Sequence, residues 1–515
     1  GTRAIENMSR RYTQIHTDNS GQWQPLAGLF IRVYLRLSAV ALSCALAACM
    51  VGPDYQRPAV DAPAAYRFDD KAARDLVNTA WWEQFKDPVL NDLLKTALAE
   101  NKDIKIAAAR VEEFFGRYGV TRSQLFPQVG AQGQAGSQRI STATSPPLSA
   151  GTPNTFDTYI LDLGVAWEID VWGRLRRASE AARADLLASE QGRLTVILSL
   201  VSAVATTYVT LVDLDRQLEI AKSTAQSRGE FYRIFKLRFE GGVVSEVELS
   251  QASSDYELAL ASIPPLEKQI AQQENALSVL LGRNPGPILR GRTLDKLVLP
   301  QVPAGLPSEL LERRPDLRQA EQVLVAANAR IGVAKAAFYP SISLTALLGT
   351  ASSALSNLFS GPAKTWSYAA NLSQPIFTGG GLSGQLFVAE SQREQALLQY
   401  QKAIQTAFQE VSDALIDQAK TREQLVAQAR QVGALRNYAR LARLRYDNGY
   451  TSYLEVTDAE TKLFNAELQY TQTQGQLFFA LINLYKAMGG GWVDEAGKVT
   501  PQPGVDISRN PPIFP

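Results

Sequence analysis

The chain carries the same pattern twice. "DIKIAAARVEEFFGRYGVTRSQLFPQV" (Asp103–Val129) aligns with "DLRQAEQVLVAANARIGVAKAAFYPSI" (Asp316–Ile342) at an offset of 213, which pairs Asp103 with Asp316, Arg117 with Arg330, Gly119 with Gly332 and Pro127 with Pro340. Farther on, "LRFEGGVVSEVEL" (Leu237–Leu249) aligns with "LRYDNGYTSYLEV" (Leu444–Val456) at an offset of 207, bringing Gly242 onto Gly449 and Ser245 onto Ser452. Gly282 and Gly489 close the two copies at that second offset. Copies of about 200 residues are far longer than the roughly 20–50 residues of a solenoid unit. A duplicated domain half is the arrangement that remains.

Each copy reads as helix, strand, strand, very long helix, turn and return helix. Proline is absent between Pro153 and Pro264, and again between Pro375 and Pro501, so nothing interrupts a long helix there. Leu194, Ile197, Val201, Val204, Tyr208, Leu211 and Leu218 keep a seven-residue beat. The same offset of 207 maps them onto Gln401, Ile404, Phe408, Val411, Leu415, Gln418 and Leu425, five of which are apolar. The spacing predicts a helix from about Arg174 to Glu240, on the order of 100 Å long at 1.5 Å per residue.

The strands alternate. In "TYILDLGVAWEIDVWG" (Thr158–Gly173), Tyr159, Leu161, Leu163, Val165, Trp167, Ile169 and Val171 fall on one face, with Asp162, Gly164, Glu168 and Asp170 on the other. "TWSYAANLSQPIF" (Thr365–Phe377) and "PSISLTALL" (Pro340–Leu348) repeat the pattern, and the strand after Pro127 repeats it weakly. A half-buried soluble sheet alternates in the same way, but ten or more residues suit a tilted membrane strand. Four strands cannot close around a lumen, and open edges in lipid would leave backbone groups unpaired. Several chains must then contribute; three copies would supply twelve strands. The connections 136–157 and 349–364, rich in Ser, Thr, Gly and Pro, are the expected outer loops.

Leu37–Ala48 is an apolar run behind Arg32 and Arg36, and it ends in Leu46-Ala47-Ala48-Cys49. The run is too short to span a bilayer and reads as a secretory signal whose cut falls at a lipid-bearing Cys49. The plainer alternative is an ordinary signal peptide with an incidental cysteine. Gly1–Phe30 is polar and precedes the signal, so translation is expected to begin near Leu29 or Val33. The formal charge is +1 over the whole chain and about −2 beyond Ala48, which points away from nucleic acid. Cys44 and Cys49 are the two cysteines and His16 is the single histidine. Without imidazole or thiolate clusters, most metal and nucleophilic-triad chemistry has no ligands or bases to use. "GGGLSG" (Gly379–Gly384) fits a dinucleotide fingerprint, but no parallel strand follows its helix. Those glycines are expected to let the chain swing from strand into helix.

These features converge on a resemblance. The chain resembles the trimeric outer-membrane efflux ducts of the TolC type, in the lipoprotein branch called NodT-like. The carrying residues are Cys49 with Val51-Gly52-Pro53-Asp54-Tyr55 and Pro58, then "WWEQFKDPVLNDLL" (Trp81–Leu94), "WEIDVWGRLRR" (Trp167–Arg177) and "RRPDLRQAE" (Arg313–Glu321). Glu112-Glu113-Phe114-Phe115 departs from the alanine-rich stretch more usual in the family.

The resemblance implies an α+β membrane protein in which a long α-helical barrel continues into a β-barrel. Each protomer would give four strands, twelve in a homotrimer. It implies a channel without enzymatic chemistry and with no cofactor beyond the covalent lipid on Cys49. Its partners would be outer-membrane lipid, a periplasmic adaptor (membrane fusion) protein and an inner-membrane pump of the resistance-nodulation-division class. Small toxic compounds such as drugs would be carried. A duct for protein secretion and a structural periplasmic coiled-coil lipoprotein are the alternatives. The expected division is a leader over 1–48 and a lipid-anchored extended segment over 49–80. A first repeat over 81–285, a linker over 286–307, a second repeat over 308–489 and a flexible tail over 490–515 follow. Gly242 and Gly449 are expected at adaptor-docking tips. Glu455 and Asp458 map onto the family's acidic ring at the periplasmic aperture, where the first copy offers Glu248 but Gln251. A plainer role for these acids is to favour the start of a helix.

Overall fold

A computed structural model describes residues 50–60, 63, 66, 80–141, 143, 153–302, 309–489 and 492–512. Cys49, the leader, and parts of the 49–80 segment, of the 286–307 linker and of the first outer loop lie outside the described residues. The described chain divides into two compact units.

One unit comprises residues 50–54, Thr121–Glu180 and Asn328–Glu390. It holds β1 (Gln128–Arg139), β2 (Thr155–Ile169), β3 (Ser341–Ser352) and β4 (Lys364–Ser373), antiparallel neighbours in that order. The register aligns the alternation across all four strands. Val129 faces Val165 and Ala131 faces Leu163. Leu163 in turn faces Leu348, Trp167 faces Leu344, and Ile169 faces Ile342. Leu348 meets Trp366, Ala346 meets Tyr368, and Ile342 meets Leu372. One face is therefore apolar from edge to edge. The other carries Gln132 beside Asp162, Glu168 beside Ser343, and Ser343 beside Asn371. Trp366, Tyr368 and Leu372 are each about 70% exposed or more, so the apolar face has no cover within this unit. The strands run somewhat into the expected loops, and 353–363 folds into two short 3₁₀ turns.

The other unit comprises Tyr55–Val120, Ala181–Ala327 and the chain from Ser391 onward. Its α-helices longer than a single turn are α1 (Pro88–Glu100), α2 (Lys102–Ser123), α3 (Arg174–Glu240), α4 (Glu246–Ala261), α5 (Ile263–Leu280), α6 (Pro315–Ala336), α7 (Gly381–Asp447), α8 (Tyr453–Met488) and α9 (Trp492–Lys498). Several of these helices also contribute residues to the first unit. α3 and α7 are each 67 residues long and begin and end at the same repeat positions. The seven-residue beat is buried at Leu194, Ile197, Val201, Val204, Tyr208 and Leu211, and in α7 at Ile404, Val411, Leu415 and Gln418. Glycine starts α7: Gly379 and Gly380 hold φ of 57° and 85° where the chain turns into the helix. The two copies differ on the return. α4 and α5 break at Ser262 because Pro264 and Pro265 follow, and proline cannot donate to the preceding turn. The second return helix, with Thr471 and Gln472 at those repeat positions, runs 36 residues unbroken.

Two family motifs gain physical reasons here. Asp87 is fully buried, caps α1 through the Val89 amide at 2.9 Å, and accepts from the Tyr208 hydroxyl at 2.7 Å and the Arg292 amide at 2.9 Å. Arg314 is buried and donates to Asp316, Glu410 and the Ala487 carbonyl.

The expectation of a flexible tail over 490–515 needs correction for residues 492–512. Trp492 is buried in a ring cluster with Trp81 and Trp82. The Gly504 amide donates to Glu112 at 2.6 Å, and the Tyr118 hydroxyl donates to Asn510 at 2.8 Å. The departing Glu112-Glu113-Phe114-Phe115 stretch is part of the surface that receives this tail.

Candidate functional site

The long helices reverse at two turns built alike. In the first, the Gly242 amide donates to the Phe239 carbonyl and the Val243 amide to the Arg238 carbonyl, both at 2.8 Å. In the second, Gly449 donates to Tyr446 and Tyr450 to Arg445, both at 2.9 Å. These bonds satisfy the last helical carbonyls and require a left-handed residue between them. Gly242 and Gly449 supply it with φ of 73° and 75°. A Cβ on either would meet nothing within 4 Å, so backbone conformation, not space, demands glycine.

Below the turns, Phe231, Phe235, Tyr453, Val456 and Ala459 form one buried cluster with Ala252 and Ala442. The Phe235 and Tyr453 rings lie 4.4 Å apart, and the Arg443 guanidinium sits over Phe231. Above it the surface is apolar in duplicate. Leu237 and Leu444, Val243 and Tyr450, and Val247 and Leu454 occupy equivalent repeat positions, and each is more than half exposed. The two turns thus expose the same three-point apolar pattern.

The carboxylates do not repeat. Glu248 closes a capping box: its carboxylate accepts from the Ser245 amide at 2.9 Å, and its own amide donates to the Ser245 hydroxyl at 3.3 Å. Glu455, at the equivalent position, leaves Ser452 without a side-chain cap bond. It accepts instead from Arg445 at 2.8 Å and from the Thr451 hydroxyl. Asp458 lies one turn on, 42% exposed at its side chain, and accepts from Lys462 at 2.8 Å and from Tyr438 at 3.3 Å. The Lys462 hydrogen bond holds its carboxyl below the usual aspartate range. Glu455 and Asp458 therefore come together at one end of α8, each beside a cation. Sequence reading missed those cations. Lys462 was findable, four residues beyond Asp458 on one helix face. Arg445 was not, because it reaches Glu455 across the turn.

Among the described residues the sheet has one uncovered apolar face and two edges without a partner strand, and it is joined to paired helical hairpins, as in an outer-membrane channel. The family described as "Outer membrane efflux protein" matches residues 93–283 and 306–490, and the chain belongs to it. It is an outer-membrane efflux channel and not an enzyme. It is 37% identical over 483 residues to the probable efflux pump outer membrane protein TtgC of Pseudomonas putida, covering 92% of this chain and 99% of that protein. It is 35% identical to the cation efflux system protein CusC of Escherichia coli, covering 89% and 99%. The CusC crystal structure matches with a TM-score of 0.76 at 34% identity, over 86% of this chain and all of that one. The open-state MtrE channel of Neisseria gonorrhoeae matches at 0.77 with 32% identity, over 86% and 99%.

Proposed function

We propose that the protein works as a lipid-anchored homotrimeric exit duct. Three copies join their edge strands β1 and β4 into a twelve-stranded barrel. The carrying observation is the open sheet: its apolar face runs unbroken across four strands, and its two edges lack partners within the described chain. In lipid such edges are tolerable only when another chain pairs them.

The turns at Gly242 and Gly449 dock the periplasmic adaptor through their paired apolar residues, and an inner-membrane resistance-nodulation-division pump feeds the duct. Glu455 and Asp458 line the periplasmic aperture. Cys49 carries the lipid, so Cys49→Ala abolishes radioactive palmitate labelling; unchanged labelling overturns that assignment. Small toxic compounds are the cargo. The chain stands about equally near a toluene efflux protein, 37% identical, and a cation efflux protein, 35% identical. That parity favours a duct whose substrate is chosen by the pump upstream.

Planar-bilayer recording of the purified protein tests the duct: channels with trimer stoichiometry are expected, and a non-conducting rod refutes it. A deletion strain challenged with antibiotics, toluene and metal cations reads the cargo.

A further inference from the structure

Residues 50–54 are held in a built seat. The Val51 amide donates to the Trp172 carbonyl at 3.0 Å. Gly52, at φ 105°, lies so close to Gly332 that an added Cβ would come within 2.5 Å of the Gly332 Cα. A Cβ on Gly332 would in turn meet the Val51 carbonyl at 2.9 Å and the Arg177 Cγ at 2.8 Å. The Asn328 amide nitrogen donates to the Pro53 carbonyl at 2.9 Å. Arg177, 2% exposed at its side chain, donates to Asp54 at 2.6 Å, while Asp54 itself is 85% exposed. The seat therefore draws its specificity from the glycine contact and the backbone bonds, with the ion pair added from solvent.

Trp172 gives the seat its location. Its ring stacks on Tyr339 at 4.8 Å, and its indole N–H donates to the Pro340 carbonyl at 2.8 Å. Those residues sit where β2 passes into α3 and α6 passes into β3. Paired aromatics at such a junction suit the membrane–water boundary.

We propose that this seat is a positioning site for the lipid anchor. It holds the chain behind Cys49 so that the acyl groups enter the bilayer beside the Trp172–Tyr339 pair and register the sheet with the membrane surface during insertion. Gly332, Arg177 and Asn328 are its positioning residues, and the inference rests on Cys49 being acylated. Two extended residues reach about 7 Å, so the seat leaves the lipid little freedom. A twelve-residue Gly/Ser spacer between Cys49 and Met50 would instead spread it over about 20 Å.

The test compares three full-length variants in cells: the spacer insertion, Gly332→Ala and Cys49→Ala. Palmitate incorporation and the yield of detergent-resistant trimer in the outer membrane are read for each. The spacer and Gly332→Ala should keep their label yet lose trimer by at least about threefold, as Cys49→Ala should without label, because the loosened anchor has a lower effective concentration at the junction. Gly332→Ala should also speed amide exchange across 50–54. A spacer variant that keeps both label and trimer yield overturns positioning while leaving the lipoprotein reading intact. A wild-type chain that takes up no palmitate overturns both.

Discussion

The two helix turns share a backbone and divide the chemistry. Both reverse through a glycine near φ 75°, both bond the same carbonyls, and both expose apolar residues at the same three repeat positions. Yet the acid at one repeat position, Glu248 or Glu455, caps its helix in the first turn and pairs with Arg445 in the second. Thr451 stands where the first turn has Val244, and this change offers Glu455 a hydroxyl beside the cation. Duplication preserved the scaffold, where dihedral angles admit few residues. It let the polar groups diverge, where exposed partners can be exchanged at little cost.

The harshest way to break the comparison is proline at the turn glycines. Proline holds φ near −65° and cannot adopt the left-handed conformation, so Gly449→Pro should reduce efflux to the level of a deletion strain while trimer still forms. Gly242→Pro should match it. Normal resistance in either variant would refute the proposed docking role of that turn.

A second contrast lies along the long helices, where buried Asp213 of α3 corresponds to exposed Lys420 of α7. Asp213 accepts one hydrogen bond, from Gln217 at 3.0 Å, and its other carboxylate oxygen is buried without a partner. Burial pushes its carboxyl up to about 7. In the unfolded chain the group ionises near pH 4, so between pH 4 and 7 the folded state holds the extra proton. Its contribution to stability therefore falls as pH rises through that window and levels off above it. Asp213→Asn should stabilise the protein by at most about 4 kcal/mol at pH 8, and far less at pH 4. Equal melting shifts at both pH values would refute the buried acid.

The proposed aperture sharpens the contrast between the turns. Arranged around one axis as proposed, three copies of Glu455 and Asp458 should bind multivalent cations, so trivalent cations added from the periplasmic side should block single-channel current. The double variant Glu455→Ala, Asp458→Ala should lose most of that block, whereas Arg445→Ala, which unpairs Glu455, should strengthen it. Identical block in all three proteins would leave these acids with a structural role alone. The smallest effect separates the helix starts. Ser245→Ala should cost about 1 kcal/mol of local stability, read as faster amide exchange in the first turn of α4. Ser452→Ala should leave α8 unchanged.

Much of this architecture was legible residue by residue. The helix Arg174–Glu240 was expected at the bounds it has, because an apolar beat and the lack of proline are local properties. The strands announced themselves by period-two alternation, and the register then joined their apolar faces. The turn glycines at 242 and 449 followed from position alone, since positive φ excludes most other residues. The acids at 455 and 458 could be placed at a helix start, but their cations could not all be found. Lys462 shares their helix, whereas Arg445 approaches only once two helices have been folded back on each other.

The chain ends make the limit plain. Gly119 and Gly332 are repeat equivalents, and nothing local distinguishes their uses. In the fold, Gly332 admits Gly52 from the amino-terminal segment, while Gly119 packs against Pro511 from the carboxy-terminal one. The sequence by itself determined the duplicated halves, the long helices, the alternating strands and the two reversals, because periodicity and backbone dihedrals act over a few residues. Only the tertiary structure decided which segment fills each glycine's open side, which cation meets each acid, and that residues 492–512 pack in place. Those choices depend on close approach between residues hundreds of positions apart, and no local preference encodes them.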